Sequence, residues 1–162
     1  MIKKIVFAAL SCFILTGCEN DDYIVDWAPV NLYIYATDSV GNSIIQPDMP
    51  GMTLTYKGET YTVKDRNEVQ TRAYLATLYG LYAQKDYDTY SAGYRLVFGE
   101  IDGAADMDED IILNWPDGST DTIHYHCSDH KERKNPTCNR SWKLNGKPHD
   151  GNYFRFTGKS LQ

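Results

Sequence analysis

Tight turns between strand-like segments constrain the fold of this chain more than any other feature. The clearest is Pro116–Gly118, which lies between Ile111–Trp115 and Thr120–Cys127. Proline supplies the fixed φ of a turn and glycine its left-handed position, so the two flanking segments are predicted to pair as a hairpin. Lys57-Gly58 divides Met52–Val63 into two threonine- and tyrosine-rich arms and predicts a second hairpin.

Further strands are predicted by residue alternation and by flanking turns. Val30–Tyr35 places Val30, Leu32 and Ile34 on one face, as in a half-buried strand, and a turn cluster follows at Asp38–Asn42. The remaining predicted strands are Tyr94–Phe98, followed by an acidic loop at Asp102–Asp110, and a last pair, Ser141–Leu144 with Tyr153–Phe156, around Asn145-Gly146.

The segment Glu68–Ala83 fits a helical and a strand period, and both assignments stay open. Its tyrosines and threonines, Gly80 and the lack of a good N-cap favour a strand. Seven to nine strands with little helix then predict an all-β fold, either an antiparallel β-sandwich (immunoglobulin-like or related) or an open barrel. The sandwich is the favoured prediction.

The N-terminus predicts the compartment. Lys3 and Lys4 precede an apolar run, Ile5–Leu15, which is too short for a spanning helix, and the order of charge, apolar run and small residues is typical of a secretory signal. Leu15–Cys18 resembles a bacterial lipobox, which implies a lipidated Cys18 after cleavage. The predicted organisation is a lipoprotein signal peptide at 1–17, a lipidated acidic tether at 18–28 and one β-sandwich domain at 29–162.

Charge excludes one class of partner. The chain has a net charge of −6, and removal of the signal peptide with its two lysines makes it more acidic. An acidic surface repels phosphate backbones, so nucleic acid is not an expected partner. The acidic stretch Glu19–Asp22 resembles the patch that follows the lipidated cysteine in surface-exported lipoproteins of Bacteroidetes, which implies exposure on the cell surface; the alternative is a solvated spacer.

Cys127 and Cys138 are the two cysteines left once Cys12 leaves with the signal peptide and Cys18 carries lipid. An even pair in an oxidising compartment predicts a disulfide, which would order the charged segment Ser128–Thr137.

Two groups of side chains could bind a metal ion or could simply be solvated surface. His124, His126 and His130 lie close to Cys127 and could bind zinc, but a disulfide would consume the thiolates. The second set consists of Asp106, Asp108 and Asp110, whose spacing matches the first ligand positions of an EF-hand calcium loop. The match then fails, because Ile111 stands where the loop needs glycine and Asp117 stands at the twelfth position in place of glutamate. No metal or other cofactor is predicted.

Tyrosines are the best binding candidates. The chain has 13 Tyr, five Phe and three Trp, and such rings combine rigid area with a polar group. The candidates are Tyr82, Tyr87, Tyr90 and Tyr94, although most aromatic residues of a β protein simply pack. No Gly-x-Ser-x-Gly or His-Glu-x-x-His motif supports hydrolysis, and no catalytic residue is predicted.

An ordered series of short motifs resembles a family of functionally uncharacterised Bacteroidetes lipoproteins with β-sandwich domains. The motifs are Trp27–Asn31, Tyr56–Tyr61, Phe98–Glu100, Asn114–Gly118, Asp121–Ile123 and Leu144–Lys147. The resemblance implies an anchored outer-membrane protein and a sandwich fold, with no catalytic residues to transfer. The predicted function is therefore a non-catalytic module that binds a glycan or an envelope protein; the alternatives are an envelope polysaccharide hydrolase and a metal-binding protein.

Overall fold

The structure, a computed structural model, describes residues 30–66, 80–86, 93–99, 101, 107–130 and 137–161, without the side chains of 129, 130, 137 and 138. The described residues form ten strands and no α-helix: β1 Leu32–Ala36, β2 Thr53–Tyr56, β3 Glu59–Thr62, β4 Leu81–Asp86, β5 Gly93–Phe98, β6 Met107–Asn114, β7 Thr120–His130, β8 Thr137–Leu144, β9 Lys147–His149 and β10 Tyr153–Phe156.

Two sheets pack against each other as a sandwich, which confirms the predicted all-β class. One sheet has four strands in the order β10-β1-β5-β4, and the other has six in the order β3-β2-β6-β7-β8-β9. Every neighbouring pair is antiparallel except β1 with β10, which is parallel. The predicted signal peptide, the predicted tether and most of Glu68–Ala83 lie outside the described residues. The last three residues of Glu68–Ala83 belong to β4.

The core forms where the inner faces of the two sheets meet. Leu32 and Ile34 of β1 are fully buried, as alternation predicted, and Val30 packs partly against the same core. Across the sandwich, Ile111 and Leu113 of β6 are equally buried. Burial of such side chains is the main driving force for folding, at roughly 1.5–3 kcal/mol each.

Both predicted two-residue turns adopt left-handed conformations. Lys57 and Gly58 have φ of 51° and 78°, and Asn145 and Gly146 have 50° and 78°. Positive φ at both central residues is the backbone of a type I′ turn, whose twist matches the strands that it joins. The first turn joins β2 to β3, as predicted.

The second turn joins β8 to β9, so the prediction for the last strand pair was wrong. Tyr153–Phe156 leaves this sheet and pairs in parallel with β1 of the other sheet. A two-residue turn specifies only the strand that follows it directly, and β9 spans just three residues around Pro148, too short to give an alternation signal. The predicted end of the acidic loop Asp102–Asp110 was also wrong, since Asp108 and Asp110 lie within β6.

A buried ion pair joins the C-terminal segment to the six-stranded sheet. Asp121, 9% exposed, accepts hydrogen bonds from Trp115 Nε1 at 2.8 Å and Asn145 Nδ2 at 2.7 Å, and its Oδ2 lies 2.7 Å from Lys159 Nζ. The backbone N–H of Lys159 also donates to the carbonyl of Thr37, the residue that follows β1. We call Trp115, Asp121, Asn145 and Lys159 the Asp121 network. Its first three members each lie in one of the short sequence motifs, Asn114–Gly118, Asp121–Ile123 and Leu144–Lys147.

The described residues contain no helix long and apolar enough to cross a membrane.

Candidate functional site

Tyrosine and arginine side chains cover the outer face of the four-stranded sheet. Because Leu32 and Ile34 point inward, Tyr33 and Tyr35 must point outward from the same strand. Tyr153 and Arg155 occupy the outward positions of β10, since Phe154 and Phe156 between and after them are buried. Arg95 occupies an outward position of β5. We call Tyr33, Tyr35, Arg95, Tyr153 and Arg155 the platform.

Ring contacts across the strands order one half of the platform. The rings of Tyr33 and Tyr153 stack with centroids 4.7 Å apart and planes 21° from parallel. Arg95 reaches the Tyr33 ring from the neighbouring strand, with Cζ 4.6 Å from the centroid. Tyr33 is therefore held between two partners, whereas Tyr153 lies on the edge strand of the described sheet and remains 46% exposed.

Arg95 links this stack to the rest of the outer face. Its guanidinium donates to the hydroxyl of Tyr35 at 3.2 Å and to Gln84 Oε1 at 3.0 and 3.3 Å. Asp86 Oδ1 lies 3.9 Å from the same guanidinium. Charge-assisted bonds of this kind are about twice as strong as neutral ones, so they fix the direction of the Arg95 side chain.

A pocket of about 140 Å³ lies at one end of the four-stranded sheet. Here β1, β4 and β10 end and β5 begins. Its lining is Tyr35, Ala36, Thr37, Ser43, Asp86, Gly93, Tyr94, Arg155, Phe156 and Thr157. The pocket therefore shares Tyr35 and Arg155 with the platform, and the two features form one continuous site.

Burial and charge set the protonation states of the site. Burial raises the pKa of the Tyr35 hydroxyl above its usual 10.0; Arg95 opposes this rise and Asp86 adds to it. Burial also disfavours the charged form of Arg95, but its contacts with Tyr35 and Asp86 outweigh that effect and raise its pKa. At neutral pH the tyrosine is therefore a neutral hydroxyl and the arginine a cation.

Of the predicted tyrosines, two are described and both lie beside this site. Tyr94 lines the pocket. Tyr82 lies on β4 directly opposite Val97, which is in turn opposite Tyr33. Tyr87 and Tyr90 lie outside the described residues.

The sequence prediction missed Tyr33, Tyr35 and Tyr153. A signal for them was present, because each alternates with apolar residues of a predicted strand. The parallel pairing of β1 with β10, which brings them onto one face, had no sequence signal.

The histidine and aspartate candidates come together on a different face. His124 Nδ1 lies 2.9 Å from Asp110 Oδ1, and His124 Nε2 and His126 Nδ1 lie 3.1 and 3.3 Å from Asp108 Oδ1. They pair because β6 and β7 place Asp110 opposite His124 and Asp108 opposite His126. Among the described residues, no three His, Cys, Asp or Glu side chains are grouped so that they could hold a metal ion. Asp106 and the side chain of His130 lie outside those residues.

The predicted disulfide stays a prediction. Cys127 is buried and pairs with Arg140 in the ladder, whereas Cys138 pairs with Asp129. The two cysteines are therefore diagonal neighbours, whose Cα atoms are roughly 7–8 Å apart in a regular sheet, against about 4.4–6.8 Å in a disulfide. A disulfide therefore requires the ends of β7 and β8 to lie closer together than the strands of a regular ladder do. The side chain of Cys138 lies outside the described residues.

Comparisons with protein-family models, with curated protein sequences and with solved structures found no match to this chain.

Proposed function

We propose that this chain is a lipid-anchored protein of the bacterial outer membrane, exposed on the cell surface, whose β-sandwich binds glycans through the platform. The observation that supports glycan binding is the stack of Tyr33 and Tyr153, which ends in a half-exposed ring on the same strand as Arg155, a residue that also lines a small pocket. A tyrosine ring provides an apolar surface for the C–H face of a sugar, and arginine provides donors for its hydroxyls.

The contacts within the platform support binding because they reduce the entropy that a ligand must overcome. Immobilising a flexible side chain on binding costs about 0.5–1.5 kcal/mol. Tyr33 and Arg95 are already fixed by one another, by Tyr153 and by Gln84. A ligand that contacts the platform therefore meets an ordered surface.

Polysaccharide binding tests this proposal. Full-length protein in detergent is titrated with a panel of acidic and neutral polysaccharides, and the affinity of the best ligand is compared among variants. Tyr153→Ala is expected to weaken binding about tenfold, the equivalent of about 1.4 kcal/mol. Tyr153→Phe, which keeps the ring, is the matched control and should bind within about twofold of the unsubstituted protein.

Two results would contradict the proposal. One is equal affinity of the Tyr153→Ala and Tyr153→Phe variants for every polysaccharide that binds. The other is the absence of any polysaccharide ligand together with cross-linking of an envelope protein to the platform, which would assign the surface to a protein partner.

The lipid anchor is supported by Lys3, Lys4, the apolar run and Leu15–Cys18. Two or more acyl chains are needed for stable attachment. Cys18→Ser removes the thiol that accepts the diacylglyceryl group, so the protein should accumulate as an unlabelled precursor when cells are fed a labelled fatty acid. Lipid label on the Cys18→Ser protein would contradict the anchor.

The disulfide between Cys127 and Cys138 is part of the same proposal. It predicts that unfolded, non-reduced protein reacts with no thiol reagent at these positions, and that reduction lowers the free energy of unfolding by about 2–3 kcal/mol. Cys127→Ala/Cys138→Ala should match the reduced protein. Two reactive thiols in non-reduced protein would rule the bridge out.

A further inference from the structure

The pocket at the end of the four-stranded sheet has the size of a subsite. Sites that enclose a drug-sized ligand span roughly 300–1,000 Å³, and this pocket has about 140 Å³. A single water needs only about 10–15 Å³. The space therefore fits one ring or one ring substituent and leaves the rest of a larger ligand outside, on the platform.

The described residues in and beside the pocket include one carboxylate, Asp86, and two guanidinium groups, Arg95 and Arg155. Asp86 is 5% exposed, and its carboxylate faces the guanidinium of Arg95 at 3.9 Å. These two groups offset one another. Arg155 is the second cation, with Cζ 5.2 Å from the Tyr35 ring centroid. Among the described residues, no carboxylate lies within ion-pair distance of Arg155. Among the described residues, Arg155 is therefore a cation at the pocket that has no carboxylate partner of its own.

We propose that this pocket binds a hexuronic acid unit of the glycan, with Arg155 as the specificity-determining residue. The guanidinium of Arg155 binds the sugar carboxylate, a pairing that its planar fork of donors favours. Thr37, Ser43 and Asp86 supply polar oxygens for the ring hydroxyls. The inference rests on the proposed glycan binding and adds the class of sugar that is recognised.

The spacing along β10 connects the pocket with the platform. Arg155 follows Tyr153 by two residues on the same strand, a separation of about 6.6 Å along the strand. This is about the length of one pyranose unit. A glycan that stacks one unit on Tyr153 therefore brings a neighbouring unit to Arg155, so the glycan is bound through two successive units, with the acidic one at Arg155.

The experiment compares a uronic acid with its neutral isostere. Full-length protein in detergent is titrated calorimetrically with methyl glucuronoside and with the methyl ester of the same sugar, which keeps the shape and removes the charge. A charge-assisted contact predicts at least about tenfold tighter binding of the acid. Arg155→Gln should abolish this preference. Lys147→Gln removes one exposed positive charge from the other sheet and should leave the preference unchanged.

Three outcomes would overturn the inference. Equal affinity for acid and ester, with polysaccharide binding still dependent on Tyr153, would remove the acidic subsite and leave the proposed function intact. Equal loss of preference in Arg155→Gln and Lys147→Gln would assign the effect to overall charge. Tighter binding of a sulfated methyl glucoside than of the uronic acid would assign the pocket to sulfated sugars. Retained preference in Lys147→Gln and lost preference in Arg155→Gln supports the uronic acid.

Discussion

The Asp121 network and the platform contain the same kinds of side chain in opposite surroundings. The network contains a buried carboxylate, a cation and an aromatic ring, and the platform together with the adjoining Asp86 contains the same kinds of group. In the network, Lys159 bonds to Asp121 and lies 5.1 Å from the Trp115 ring, and all three are shielded from solvent. Beside the platform, Asp86 is buried next to Arg95, but Tyr153 at the sheet edge and Arg155 remain accessible.

This difference separates stability from binding. In a closed network the charged groups bond to the protein itself, so a substitution that removes one of them lowers the free energy of unfolding. An open group of side chains keeps a ring face and a charge accessible, so a substitution there is expected to lower the affinity for a ligand. Variants that distinguish the two regions should therefore affect unfolding and binding in opposite proportions.

The largest effect is expected for Asp121→Asn. This change leaves Lys159 buried without its carboxylate, and breaking a buried ion pair costs about 3–5 kcal/mol. The free energy of unfolding, measured by urea denaturation at pH 7, should fall by about 3 kcal/mol or more. Asp150→Asn, at an exposed position, should change it by less than about 0.5 kcal/mol. A loss below about 1 kcal/mol for Asp121→Asn would contradict the structural role of the network.

The same carboxylate predicts an acid limb of stability. Burial raises the pKa of Asp121, but hydrogen bonds from Lys159, Asn145 and Trp115 outweigh burial and hold it below the usual 3.8. The stabilisation is therefore fully present above the pKa of an unfolded aspartate, near pH 4, and is lost as the pH falls through the folded pKa. The difference in unfolding free energy between the unsubstituted protein and Asp121→Asn should shrink between pH 5 and about pH 2. A constant difference would contradict the lowered pKa.

An intermediate effect is expected for Arg95→Met. It removes the bonds to Tyr35 and Gln84 and leaves Asp86 without this cation. We expect a loss of about 1–3 kcal/mol in unfolding free energy, together with loss of glycan binding because Tyr33 is no longer held. Unchanged stability measured by urea denaturation would show that the platform is not ordered by Arg95.

Tyr153→Ala should have little effect on folding. Its ring is half exposed at a sheet edge, and a cross-strand aromatic pair contributes roughly 0.2–1 kcal/mol. The urea midpoint should therefore fall only slightly while polysaccharide affinity falls about tenfold. A stability loss as large as that of Asp121→Asn would place Tyr153 in the structural group.

The smallest effect is expected at the exposed pair of His124 and Asp110. A double-mutant cycle of His124→Ala and Asp110→Ala should give a coupling energy below about 1 kcal/mol, since exposed ion pairs are weak and screened by salt. The cycle is measured by urea denaturation at pH 6 in low and in high salt. Coupling above about 2 kcal/mol would indicate a more important role for this cluster.

Local signals in the sequence were sufficient for much of the fold. Lys57-Gly58 and Pro116–Gly118 predicted their hairpins because turn geometry demands particular residues. Alternation predicted β1, and Tyr94–Phe98 was correctly predicted as a strand that the structure shows as β5. The pairing of Tyr153–Phe156 could not be predicted, because a parallel partner more than a hundred residues away depends on how the whole sandwich closes. The platform was missed for the same reason: Tyr33 and Tyr153 come together only through that pairing.

The most direct test of the account is to locate the bound glycan. Full-length protein in detergent, labelled with ¹³C at tyrosine and tryptophan rings, is titrated with the tightest-binding polysaccharide fragment and followed by NMR, with ring signals assigned by single substitutions. We predict that the signals of Tyr33, Tyr35 and Tyr153 shift with saturation, while that of Trp115 in the Asp121 network does not. Shifts at Trp115 or Tyr61 without shifts at Tyr153 would contradict the assignment of the platform as the binding surface.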